Sequence, residues 1–259
     1  MEKYTTLQTF IQKTMSSHDP SHNPSHVTRV VNLAQRILTK ETDLSPNSTL
    51  NTDVVVLAAL LHDISDRKYL SHVKSIISEL LSTSIPSSIS TSTSNTTTSP
   101  STSNTPSKKP IQDENETITA QNLVYHVLLA HGISADLAEK VQTVVSAVSY
   151  STEKKDPGYV RAVLEMHSEL GIVQDADRLD AIGAVGIGRC FTFLGAKGKE
   201  YCEDGRWEMG NAIEHFGEKL ELLEGMMKTR SGREMARVRS ERLREFRKWW
   251  EEEMSDSGF

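Results

Sequence analysis

The sequence predicts an all-α protein, and three observations carry that expectation. Apolar residues recur at three- and four-residue intervals along most of the chain. Capping residues stand where several of those runs begin. No stretch alternates apolar with polar residues as a half-buried strand would. No internal repeat or long heptad pattern competes with this reading.

Taken in order, Leu7, Phe10, Ile11 and Met15 share one face of a helix over 6–15. The stretch from His18 to His26 holds two prolines among Asn, Asp and Ser and reads as a loop, with Ser25 placed to cap the next helix. Val27, Val30, Val31, Ala34, Ile37 and Leu38 form that helix's core stripe. A polar loop over 42–52 precedes a segment from Asp53 to Asp63 that is apolar on every side. Its Leu/Ala-rich second half favours a buried helix. A short helix is expected over 72–81. Asp113 and Glu116 have capping-box spacing ahead of a helix over 118–130, stopped by His131-Gly132. Ser134 starts another helix, with Leu137, Val141, Val144, Val145 and Val148 on one face, and Pro157-Gly158 marks a turn. Residues 172–193 form one long apolar segment containing Gly183, Gly186 and Gly188. Close helix packing accounts for these glycines better than a phosphate loop, because no Walker-type pattern is present. The tail over 207–253 reads as two charged amphipathic helices broken near Ser231-Gly232, with Met235, Val238, Phe246 and Trp249 as the second one's apolar stripe.

Charge and composition exclude several function classes. The 259 residues include 35 acidic and 29 basic ones, a formal net charge of -6, which gives no global reason to bind nucleic acid or an anionic membrane. The Arg-rich run over 230–248 is interleaved with Glu234, Glu241 and Glu245, the pattern of a solvated, ion-paired helix. Cys190 and Cys202 cannot build a disulfide framework and fit a reducing compartment. No apolar run approaches the roughly 18–20 residues that span a bilayer, and the N-terminus lacks a secretory apolar segment. A cytoplasmic location is expected, with the nucleus left open.

One tract stands apart. Residues 82–107 include 19 Ser or Thr and no charge. This composition cannot offset the entropy of ordering, so disorder is expected. The tract is either a linker between two domains or an insertion within one.

The chemistry concentrates in a few positions. His62-Asp63 ends the most apolar segment of the chain, where a carboxylate beside an imidazole costs several kcal/mol of desolvation, as an order of magnitude, unless a partner such as a divalent cation compensates. His26 and Arg29 share a helical face, Asp66 and Lys68 follow His62 closely, and Asp175-Ala176-Asp177-Arg178-Leu179-Asp180 places three carboxylates in an apolar stretch. Such crowded carboxylates need a cation or a guanidinium, from Arg178 or Arg189, to coexist.

The order His26, His62-Asp63, Asp177 resembles the signature of the HD-domain metal-dependent phosphohydrolases. The longer stretches His22-x3-His26-x2-Arg29-Val30, Leu60 to Lys68 and Ile172 to Ala184 are similar to a bacterial and fungal subfamily that includes nucleoside triphosphate pyrophosphohydrolases. The resemblance covers the chain from about His18 to the C-terminus, skipping the Ser/Thr tract. It implies a single HD-type helical domain over 1–259, with residues 82–110 as a low-complexity insertion. It implies His26, His62, Asp63 and Asp177 as ligands of one divalent metal ion. Their mixed nitrogen and oxygen donors suit Mn, Mg, Fe or Co, and less well Ni or Zn. It also implies a hydrolase acting on a phosphate ester or anhydride, with a small-molecule nucleotide as the expected substrate. Asp66 is the candidate for orienting or deprotonating the attacking water, with Lys68 beside it. Arg29, Lys68 and Arg178 are candidate phosphate contacts, and Asp180 is expected behind the ligands rather than among them. A phosphomonoesterase or phosphodiesterase on the same metal, and a non-catalytic metal- and nucleotide-binding module, stay open. The sequence departs from the family at Asn23, where relatives often carry Asp after His.

Overall fold

The structure, a computed structural model, describes residues 4–16, 23–64, 73–77, 117–201 and 207–256. It is all-α: no strand occurs among the described residues. The helices are α1 (Thr5–Met15), α2 (Pro24–Leu44), α3 (Thr52–Leu61), α4 (Leu123–Ala130), α5 (Ala135–Ser146), α6 (Tyr150–Lys155), α7 (Pro157–Met166), α8 (Glu169–Asp180), α9 (Gly183–Tyr201), α10 (Met209–Glu218) and α11 (Arg230–Asp256). A 3-10 turn, Leu220–Met226, joins the last two.

Two helices form the centre. In α3 every residue from Val54 to Leu61 is buried, which accounts for an apolar segment with no polar face. In α8 all residues except Asp177 are buried. α2 packs against both, α5 lies against α3, and α11 reaches α2 and α8 from the other side. One continuous core joins Leu7, Val31, Leu57 and Ile64 to Val144, Val173, Leu179 and Leu243. Residues before and after the Ser/Thr tract therefore share that core.

Several boundaries differ from the sequence reading. Asn23, not Ser25, caps α2: its Oδ1 accepts the His26 amide at 3.1 Å, and Pro24 takes the first helical position, where no amide is needed. Pro157 likewise opens α7 instead of marking a turn, with Asp156 Oδ1 accepting the Tyr159 amide. α4 starts at Leu123, not 118. The segment 172–193 is not one helix: it breaks at Ala181–Ile182, Gly183 takes φ +75°, and the two arms are bent by 69°. Close helix packing accounts for Gly183 alone among the three glycines. A Cβ on Gly183 would come within 3.1 Å of Arg239 on α11, one on Gly186 would run into the Ala181 carbonyl inside the bend itself, and Gly188 faces open space. The tail breaks at Met227–Thr229, and Ser231 and Gly232 lie buried in the first turn of α11. That helix packs through Ala236, Ser240 and Leu243, with Met235 and Phe246 partly buried, while Val238 and Trp249 are exposed.

Residues 73–77 are helical within the short helix expected over 72–81. Asp66, Lys68, Asp113, Glu116 and the whole of 82–110 lie outside the described residues. Among the described residues, no single helix is long and apolar enough to cross a membrane.

Candidate metal centre

Three helix ends meet at one point. His26 sits in the first turn of α2, held by the Asn23 cap. His62 is the residue after α3, so Asp63 lies beyond the last regular turn and both side chains can turn the same way. Asp177 projects from the last turns of α8.

The structure brings His26, His62, Asp63 and Asp177 together. The two imidazole Nε2 atoms are 3.1 Å apart. Asp63 Oδ2 is 3.3 Å from each of them, and Asp177 Oδ1 is 3.7 Å from each. One ligand atom from His26, His62 and Asp177 can be chosen so that all lie within 4.8 Å of one another. Both imidazoles are buried, while the carboxylates are about one-third exposed (30% for Asp63 and 29% for Asp177), which leaves the cluster an open side.

The far nitrogens determine what the near ones offer. His26 Nδ1 lies 2.8 Å from Asp180 Oδ2, and His62 Nδ1 lies 2.9 Å from the Ala59 carbonyl. An ionised carboxylate and a carbonyl only accept, so both Nδ1 atoms donate and a neutral ring presents its Nε2 lone pair to the cluster. Two lone pairs 3.1 Å apart, flanked by two carboxylates, repel unless a proton or a cation lies among them. Asp63 Oδ2 is moreover buried without a hydrogen-bond partner. The donor set therefore fits a divalent cation: two imidazole nitrogens and two carboxylate oxygens, with one oxygen otherwise orphaned. Protonation follows the same field. Burial pushes the His62 pKa down, but Asp63 and Asp177 outweigh it and raise it to about 9. For Asp63 burial acts upward, and the neighbouring His62 and His26 hold the carboxyl well below its ordinary range.

Asp180 lies behind the centre and is itself buried. It accepts from Arg29 Nε at 2.7 Å, Arg29 Nη2 at 3.0 Å and Arg189 Nη1 at 2.9 Å, besides His26. Burial raises its pKa, but His26, Arg29 and Arg189 more than reverse this and keep it ionised. Arg29, a candidate phosphate contact, thus has two of its nitrogens on Asp180. Arg178 is buried and turned to another group: it donates to the Met226 carbonyl at 2.9 Å and pairs with Glu153, which Lys228 Nζ also meets at 2.6 Å. No contact joins Arg178 to the four clustered side chains. Glu153 was not singled out from the sequence, and nothing in its local pattern marks it. The capping role of Asn23 is legible in the sequence: Asn followed by Pro is a cap followed by a preferred first helical residue. A separate cleft of about 410 Å³, between Glu41, Ser45, Leu164 and Arg233, opens near the other end of α2.

Comparison with known proteins agrees with this architecture. No protein-family model matches the chain. The fold is shared with an HD-superfamily hydrolase from Bacillus thuringiensis, at 21% identity over 98% of this chain and 97% of that one, with a TM-score of 0.50. Bacillus subtilis YpgQ, an uncharacterized protein, is 30% identical over 240 residues, covering 93% of this chain and 88% of YpgQ. The chain belongs to the family of that protein. The crystal structure of YpgQ in complex with ADP superposes with a TM-score of 0.59 at 27% identity, over 97% of this chain and 95% of that one.

Proposed function

We propose that the chain is a metal-dependent phosphohydrolase of the HD type acting on a nucleotide, in the manner of a nucleoside triphosphate pyrophosphohydrolase. The observation that carries this reading is the convergence of two Nε2 lone pairs and two carboxylates, with Asp63 Oδ2 lacking any hydrogen-bond partner. His26, His62, Asp63 and Asp177 would hold one divalent ion, Mn, Mg, Fe or Co by donor type, with Ni or Zn less suited. When bound, such an ion acidifies water and polarises a phosphoryl oxygen.

The chain's own residues do the remaining work. The Ala59 carbonyl and Asp180 keep both imidazoles in the tautomer that offers Nε2. The partly exposed Asp63 and Asp177 leave the ion a solvent-facing side for water and phosphate. Asp66 and Lys68, which follow His62 closely in the chain, are the groups proposed to take the proton of the attacking water and to contact phosphate. The nucleotide class is supported by the ADP complex of YpgQ. The same reading makes 82–110 an insertion in a single domain, because His26, His62 and Asp63 precede it and Asp177 follows it.

The test is a matrix of metals against substrates. The purified chain is loaded in turn with Mn, Mg, Co, Ni and Zn and offered nucleoside mono-, di- and triphosphates, with products identified. Pyrophosphate released from a triphosphate is the expected result. Orthophosphate from a monophosphate would reassign the chain to a phosphomonoesterase, and bound metal with no turnover would make it a binding module. His62→Ala and Asp177→Ala are expected to lose metal and turnover together. Full metal content and full turnover in either variant would refute the ligand assignment.

A further inference from the structure

The two histidines of the centre are held differently. His62 Nδ1 donates to a backbone carbonyl, a neutral acceptor fixed by α3 itself. His26 Nδ1 meets a carboxylate supplied from 154 residues away in sequence. That carboxylate is buried, and it is pinned on both oxygens. Arg29 reaches Oδ1 through Nε and Oδ2 through Nη2, and Arg189 reaches Oδ2 through Nη1. The arginines come from different helices: Arg29 lies one turn after His26 on α2, and Arg189 lies on α9 beyond the bend. Asp180 is the last residue of α8, three after Asp177. It therefore ties the helix that carries one carboxylate of the centre to the helix that carries one imidazole.

We infer that Asp180 is a positioning residue of the centre. Clamped by Arg29 and Arg189, it fixes the His26 ring with Nδ1 protonated and Nε2 turned toward the cation. This inference rests on the metal-centre reading. It assigns Arg29 and Arg189 to holding Asp180 rather than to binding the substrate's phosphate. The physical ground is that an imidazole without a defined partner at Nδ1 samples both tautomers and more than one ring orientation, and only one combination offers a lone pair to the cation. An anionic partner also makes Nε2 a stronger donor than a carbonyl partner would.

The experiment compares the wild-type chain with Asp180→Asn after removal of metal by a chelator. Mn2+ is titrated into each and the free ion is measured. Nitrogen-15 spectra of labelled histidine are recorded on the metal-free chains across a pH series, and the tautomer is read from the neutral form of each ring. The expected result is a loss of about 10–100-fold in Mn2+ affinity for Asp180→Asn, with His26 moving from the Nδ1-protonated form toward the Nε2-protonated one. Far-UV circular dichroism unchanged from wild type separates this from general unfolding. Equal Mn2+ affinity and an unchanged His26 tautomer in Asp180→Asn would overturn the inference. A wild type that binds none of Mn2+, Mg2+, Fe2+ or Co2+ would instead defeat the metal-centre reading, and the tautomer measurement would still decide what Asp180 does. Should Asp180→Asn fail to fold, the wild-type spectrum is decisive: a His26 ring protonated on Nε2 overturns the inference.

Discussion

Within six residues of α8, four charged side chains serve four different purposes. Asp177 faces the imidazoles, and Asp180 backs His26. Arg178 crosses to Glu153 and the Met226 carbonyl. Asp175 holds the approach to α11: its Oδ1 accepts the Lys228 amide at 2.8 Å, its Oδ2 accepts the Thr229 amide and hydroxyl, each at 2.7 Å, and Thr229 in turn caps the helix by accepting the Gly232 amide at 2.9 Å. This cap needs glycine at the third helical position, since a Cβ on Gly232 would run into Asp175 Oδ2 and come within 2.8 Å of Thr229 Oγ1. Gly232→Ala is therefore expected to displace the carboxylate and destabilise the chain by about 1–3 kcal/mol, the range for losing a cap and stranding its buried partners. Urea unfolding measures this, and a cost below about 0.5 kcal/mol would show that the cap tolerates the methyl. At this scale the sequence is legible only in part. Its spacing marks the carboxylates as a crowded group needing a cation or a guanidinium; Asp180 has Arg29 and Arg189, whereas Asp175 is held by two amides and a hydroxyl and Arg178 turns to Glu153. It does not tell which one meets which partner, because His26 lies 154 residues from Asp180 and Lys228 lies 53 from Asp175. Side-chain direction around the helix decides the matter, and neighbouring positions differ by about 100°.

Between elements, the bend from α8 into α9 carries Arg189 back onto Asp180. Gly183 makes the bend possible by adopting φ +75° against Arg239. Gly183→Ala combines a left-handed backbone penalty with a 3.1 Å contact, and is expected to cost roughly 1–2 kcal/mol or more. A melting temperature equal to wild type would contradict that. A second inter-element tie is Glu153 at α6, which joins Arg178 of α8 to Lys228 ahead of α11. Burial alone would raise the Glu153 pKa, but Lys228 and Arg178 lower it below the ordinary value. A depressed carboxyl contributes stability that is fully present above its unfolded pKa, and that stability is lost as pH falls through the lower folded value. The stability gap between wild type and Glu153→Gln should therefore be widest near neutral pH and should shrink toward pH 3. A gap independent of pH would mean that the ion pairs contribute nothing. Helix existence was readable from apolar spacing for α1, α2 and α5, and from Leu/Ala content for α3. The exact starts were less so: Pro157 reads equally well as a turn residue and as a first helical residue, and only the Asp156 cap distinguishes the two.

At the scale of the molecule, the core joins residues from both sides of the Ser/Thr tract, and the centre draws on α2, α3 and α8 together. The prediction that belongs here is a deletion. Replacing residues 82–107 with a short Gly/Ser linker should leave the melting temperature and the Mn2+ content within error of the full chain, and loss of both would contradict a single domain with an insertion. The all-α class was legible because helical periodicity pervades the sequence. The joining of its two halves was not visible in composition, which equally suits a linker, and became an expectation only through the ligand order.

A cation shared by His26 and Asp177 would act on the chain as a staple. It would close a loop of about 150 residues that contains the tract. Loop-closure entropy grows only as the logarithm of length, so removing 26 of those residues changes the closure cost by about 0.2 kcal/mol. Loop closure therefore exerts almost no pressure on the length of the Ser/Thr tract. The tract at 82–107 can gain or lose residues at little cost while the four-residue centre, anchored on helix ends, stays as it is.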